Sequence, residues 1–179
     1  MASAFSHAIA SIALGKASFI KKTDTKFWVL AAFCAVIPDA DVIGYKMGVP
    51  YDSMYGHRGF THSLFFAALL AVIVVYFFYK EEKPFSSRWW VLTGFFFVAT
   101  ASHGVLDAMT TGGRGVAFFA PFSDARYFFP FRPIKVSPIG VTRFFSQWGL
   151  EVLKSEFVWI WIPSFIIIAA VRVINKMRT

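Results

Sequence analysis

The chain has 179 residues, a formal net charge of +8, 57% apolar residues and 20% aromatic residues. That apolar share exceeds the roughly 45–50% of soluble domains, which excludes an ordinary soluble protein and points to lipid. The length leaves room for a single domain, 1–179, and the lysines and arginines gather at the ends of apolar runs, so lipid headgroups rather than nucleic acid are the expected partners of the charge.

About five helical segments are predicted, at 3–20, 25–37, 62–79, 88–111 and 157–172. The first has no basic residue before its apolar run, unlike a cleavable signal peptide, and is expected to be kept. Its small residues Ala4, Ala8, Ser11 and Gly15 recur near a spacing of four, which lets neighbouring backbones approach and predicts an inner place in the bundle. In the second, Phe27 to Ile37 amounts to about 16 Å of helix. The first two helices are therefore expected to cross obliquely or to form a buried hairpin. Cys34, the single cysteine, has no disulfide partner and is read as packing. Pro38 disfavours helix at Ile37, which is expected to place Asp39 and Asp41 on an irregular turn as paired carboxylates.

Ser63 to Tyr79 and Trp89 to Leu106 each approach the ~20 residues of a spanning helix and contain no Asp, Glu, Lys or Arg, so both are expected to cross. Thr61 or Ser63 should cap the first of them. The stretch 112–156 is dense in Gly, Pro, Phe and Arg. Within it Val141, Phe144, Phe145, Trp148 and Val152 recur at helical spacing between Arg143, Gln147, Glu151 and Lys154, predicting a short interfacial helix. The last helix is expected to kink at Pro163. The fold class is thus an all-α, multi-pass membrane bundle with an irregular, aromatic-rich outer segment. The aromatic and arginine run from Phe118 to Arg132 reads as a membrane-interface belt rather than a nucleic-acid platform.

Basic residues crowd the 21–26 connection (Lys21, Lys22, Lys26), the 80–88 connection (Lys80, Lys83, Arg88) and the tail (Arg172, Lys176, Arg178). By the positive-inside rule these ends are cytoplasmic, leaving the N-terminus, the 38–61 loop and the 112–156 segment outside.

On this plan His7, Asp39, Asp41, His57, His62, His103 and Asp107 fall at one level, opposite the lysine-rich loops, and include all 4 histidines of the chain. His103 and Asp107 are i,i+4 on one helix face, whereas His57 and His62 would diverge on a regular helix, so His57 belongs to the loop. Ionisable groups at membrane depth need partners, and a cation satisfies several at once. Nitrogen and oxygen donors without thiolate point to one or two ions of zinc or manganese, with iron or magnesium behind them. Metal-assisted hydrolysis is the natural chemistry, with Asp39 or Asp41 taking the proton of water. Arg58 is expected to grip a phosphate, with Arg114, Arg132 or Lys135 as lesser candidates. The alternatives are a structural metal in a scaffold that binds lipid or a partner protein, and a transporter. The transporter predicts charges at mid-helix that the third and last helices lack.

The strings Gly56-His57-Arg58-Gly59-Phe60-Thr61-His62-Ser63, Ser102-His103-Gly104-Val105-Leu106-Asp107-Ala108-Met109-Thr110-Thr111 and Ile37-Pro38-Asp39-Ala40-Asp41, with an early His7, resemble the YdjM-like family. That resemblance implies a bacterial inner-membrane, metal-dependent hydrolase, of a type that includes LexA-controlled members of the SOS response. The seven His and Asp residues carry over as ligands or catalytic groups. A more distant similarity to the helical zinc-dependent phospholipase C and P1 nuclease group implies a phosphate ester, by analogy.

Overall fold

The computed structural model describes residues 1–18, 20 and 23–177; Lys21, Lys22 and Arg178, part of the basic load above, lie outside the described residues. Among those described, every regular element is helical. Helix α1 (Ala4–Ala17) starts at Ser3, whose side chain caps the N–H of Ser6. Its close-approach face is Ser11 and Gly15 rather than Ala4, which is exposed. Ser11 Oγ donates to Ala31 O at 2.9 Å, and a Cβ on Gly15 would stand 2.7 Å from the Trp28 ring. These two residues seat α1 on α2 (Thr25–Val36), and α1 also packs on the fifth and last helices.

The sequence suggested that α2 would stop at Pro38. Instead a 3-10 turn (Ile37–Asp41) and α3 (Val42–Lys46) continue the helical path. Pro38 occupies the first turn of the 3-10 segment, where its missing N–H has no helical partner to lose. Thr25–Lys46 is consequently a 22-residue helix of mean hydropathy 1.7, long and apolar enough to cross a membrane. The irregular turn and the short second helix are both corrected.

Ser63, not Thr61, caps α4 (Leu64–Phe78), and Ser86 caps α5 (Ser87–Ala108). The 15 residues of α4 make about 22 Å of helix, short of the ~30 Å hydrocarbon core. Beyond the irregular 109–140 segment come α6 (Val141–Phe144) and α7 (Gln147–Glu156). The expected short interfacial helix is not a separate element: α7 runs through a π-helical turn, Phe157–Trp161, into α8 (Ile162–Met177). Nothing between Glu156 and Ile162 breaks a helix, and the wider turn sits where the Pro163 ring would meet the carbonyl of the preceding turn.

Helices pack in the order α4, α5, α2, α1, α8. Phe27, Leu30, Cys34, Val75, Trp89 and Phe96 form the core where α2, α4 and α5 meet. At one end Lys26 of α2 donates to Phe78 O at 2.9 Å, tying the start of α2 to the end of α4. The opposite end gathers the end of α2, the start of α4 and the end of α5. Outward faces carry Leu69, Phe77, Val91, Phe165 and Ile166, a lipid-facing pattern. The most apolar window of α5 is 56% buried and that of the last helix 11%, so α5 is internal and the last helix peripheral.

Candidate metal centre

The end opposite Lys26 collects all seven expected His and Asp side chains. The 3-10 turn swings Asp39 and Asp41 to different partners, so they are not a carboxylate pair. Asp39 joins His62, from the 3-10 turn Phe60–His62 that precedes α4, and His103 and Asp107 of α5. One ligand atom from each of the four lies within 4.8 Å of the others. His62 Nε2 stands 3.1 Å from His103 Nε2, 3.6 Å from Asp39 Oδ1 and 3.6 Å from Asp107 Oδ2. His103 Nε2 stands 3.3 Å from Asp39 Oδ1. Four donors bound at about 2.1 Å around a tetrahedral ion stand roughly 3.4 Å apart, so these separations fit one zinc-sized cation.

Tautomers point the same way. His103 Nδ1 lies 2.7 Å from the carbonyl of Ala35, which can only accept, so this nitrogen carries the hydrogen. His62 Nδ1 lies 3.2 Å from Asp41 Oδ2 and donates there. With Nδ1 engaged in each ring, Nε2 is the atom that faces the shared point and offers its lone pair once an ion displaces any proton there, the arrangement that second partners impose on metal-binding histidines. Both oxygens of Asp39 are buried without a hydrogen-bond partner. Orphaned buried acceptors beside the Nε2 atoms of two imidazoles are what a divalent cation satisfies.

Asp41, His57 and His62 form a second group of the same kind, but its carboxylate is already filled. Asp41 accepts from His57 Nδ1 (2.7 Å), Thr61 Oγ1 (2.8 Å) and the Arg58 N–H (3.1 Å), besides His62. These four donors match the four lone-pair sites of a carboxylate, so Asp41 holds two imidazoles from behind and has no capacity left to take a proton. His7 lies at the margin. Its ring stacks on His103 with centroids 3.7 Å apart, and its Nε2 is 3.5 Å from Asp107 Oδ1, outside the four-atom set.

Arg58 is fully buried, with φ at +64°. Its Nε pairs with Asp107 Oδ2 at 3.0 Å, Nη1 donates to Gly112 O at 2.9 Å and Nη2 to Thr110 Oγ1 at 3.0 Å. Gly113 makes room for it, since a Cβ there would lie 2.6 Å from Nη1. With its fork occupied, Arg58 positions Asp107 rather than standing open to a phosphate. The lesser candidates are also engaged: Arg114 with Asp52, Lys135 with Glu151, and Arg132 over the Phe128 ring.

Burial opposes a charge on His62, but the nearby Asp107, Asp39 and Asp41 carboxylates outweigh that and carry its pKa up to about 10. The pocket thus holds a proton where a cation fits.

Several supporting residues escaped the sequence reading. Arg126 donates to the carbonyls of His57, Tyr51 and Ser53, pinning the histidine loop. Ala2 N donates to Asp107 Oδ1 at 2.8 Å. Glu156, wholly buried, accepts from Ser3 N, Ser3 Oγ and Ser6 Oγ, fixing the turn that presents His7. Only Glu156 carried a signal, an acid at the head of an apolar run.

The description "YdjM inner membrane protein" matches residues 1–178 of the chain. "Inner membrane protein YbcI" of Escherichia coli (strain K12) is 35% identical over 167 residues, covering 93% of this chain and 95% of that protein. No solved structure matches.

Proposed function

We propose that this protein, which belongs to the YdjM inner membrane protein family, is a membrane-embedded metal-dependent hydrolase acting on a phosphoester of a lipid or membrane-associated substrate. The observation that carries the reading is the convergence of Asp39, His62, His103 and Asp107, with separations that fit one ion and with both Asp39 oxygens buried and without a hydrogen-bond partner. Zinc suits two imidazoles and two carboxylates, with manganese next. When bound, such an ion polarises a phosphoryl oxygen and lowers the pKa of water. The protein's own residues do the rest. Asp107 is held by Arg58 and Ala2 N, and His62 and His57 by Asp41. Asp39 lines a groove, and both its oxygens lack a hydrogen-bond partner, so one of them can serve as the general base that takes a proton from water. By the positive-inside reading the centre lies on the periplasmic side of the inner membrane.

A second reading is favoured by the ligand count: four protein donors can close a tetrahedral site, as in structural zinc centres. The test is phosphate release from short-chain phosphatidic acid and related lipid phosphates by detergent-purified protein loaded with zinc or manganese. Hydrolysis is expected to need the ion and to fall at least a hundredfold in Asp39→Asn. A metal-replete wild type inert on all of them would favour the structural reading.

A further inference from the structure

Asp39 does two things in this structure. It faces the metal centre, and it forms part of the floor of a groove of about 470 Å³ lined also by Phe5, Val42, Lys46, Phe144 and Phe145. Its side chain is only 9% exposed, and both its oxygens lack hydrogen-bond partners. Lys46 lines the same groove seven residues further along the helical path, exposed at the end of α3, with no side-chain hydrogen bond or ion pair among the described residues. The walls are apolar. The Phe5 and Phe144 rings lie 6.4 Å apart, and Phe5 and Phe145 are 62% and 81% exposed. Ile43 and Met47, on either side of Lys46, are exposed as well, so apolar surface continues out of the groove.

A cation at the rim, a cation-seeking floor and aromatic walls that run into lipid-facing surface complement an amphiphile whose polar end is anionic. A soluble phosphate ester would gain nothing from the walls, and a neutral lipid nothing from Lys46. We propose that this groove binds a membrane lipid carrying a phosphate, with the phosphate between Lys46 and the metal centre and an acyl chain against Phe5, Phe144 and Phe145. The proposal rests on the metal-hydrolase reading and names the place and the recognition element of its substrate.

The test is direct binding of dioctanoyl phosphatidic acid, dioctanoylglycerol and inorganic phosphate to purified protein in dodecylmaltoside, with metal content measured on the same samples. Two variants accompany the wild type. Lys46→Gln removes the cation, and Ala4→Trp fills the groove from an exposed first-turn position. Wild type is expected to bind phosphatidate at least tenfold more tightly than dioctanoylglycerol or phosphate. Both variants should lose at least tenfold in phosphatidate affinity while keeping their metal. Equal binding of dioctanoylglycerol, or wild-type affinity in metal-replete Lys46→Gln and Ala4→Trp, would overturn the proposal alone. A wild type that holds no metal yet binds phosphatidate through Lys46 would contradict the metal reading and leave the groove assignment standing.

Discussion

At the scale of single residues, the chemistry of the centre depends on which nitrogen of each histidine carries the hydrogen. Asp41 and the Ala35 carbonyl decide that for His62 and His103. Asp41→Asn should therefore weaken metal binding about 10–100-fold, as loss of a partner behind a ligand does, without abolishing it. A competitive chelator titration reads that difference. Arg58→Ala removes the buried guanidinium that pairs with Asp107 Oδ2, which should cost about 3–5 kcal/mol in thermal or denaturant unfolding of the metal-free protein. Arg58→Lys should rescue little, because an ammonium cannot serve Asp107, Gly112 and Thr110 together. His62 sets the pH dependence. Its pKa, raised from 6.5 to about 10, means that the stabilising proton is fully present below 6.5 and is lost as pH rises through 10. The ion displaces that proton, so metal affinity should rise with pH across this window, and calorimetry in two buffers should find about one proton released per ion at pH 7. The ligand types and the i,i+4 pair His103 and Asp107 were legible in the sequence. The division of labour was not, because it depends on separations of a few tenths of an ångström and on loop carbonyls that no spacing reveals.

At the scale of elements, the centre is assembled from the ends of α2, α4 and α5 with α1 laid against them, and Glu156 ties α7 to the cap of α1. Glu156→Ala would leave Ser3 and Ser6 donors buried without an acceptor. It should cost about 1–3 kcal/mol and loosen His7, seen as faster amide exchange at 3–8 with the rest of the bundle unchanged. The helices predicted at 62–79 and 88–111 were legible because long uncharged apolar runs have few other solutions in a membrane. One expectation failed because a helix can absorb proline by changing its hydrogen-bond register: Pro38 sits in a 3-10 turn, so the helix expected to stop there is continuous. The break expected between the interfacial and the last helix is absent as well, since a π-helical turn at Phe157–Trp161 joins α7 to α8.

At the scale of the molecule, one end carries Lys26 and the 80–88 connection and the other carries the metal centre, an arrangement that follows from α4 running antiparallel to both α2 and α5. Exposed Tyr55, in the histidine loop, and Glu81 mark the two ends. With Cys34 buried, a membrane-impermeant thiol reagent applied to spheroplasts should label Tyr55→Cys and not Glu81→Cys. The central claim is that the polar end holds a metal ion. The measurement is metal per chain by elemental analysis of detergent-purified protein, for wild type and for folded, monodisperse His62→Ala and Asp107→Ala variants. The account predicts about one equivalent of zinc or manganese in wild type and its loss in both variants. No metal in wild type after reconstitution with zinc and manganese, or full retention in both variants, would contradict it.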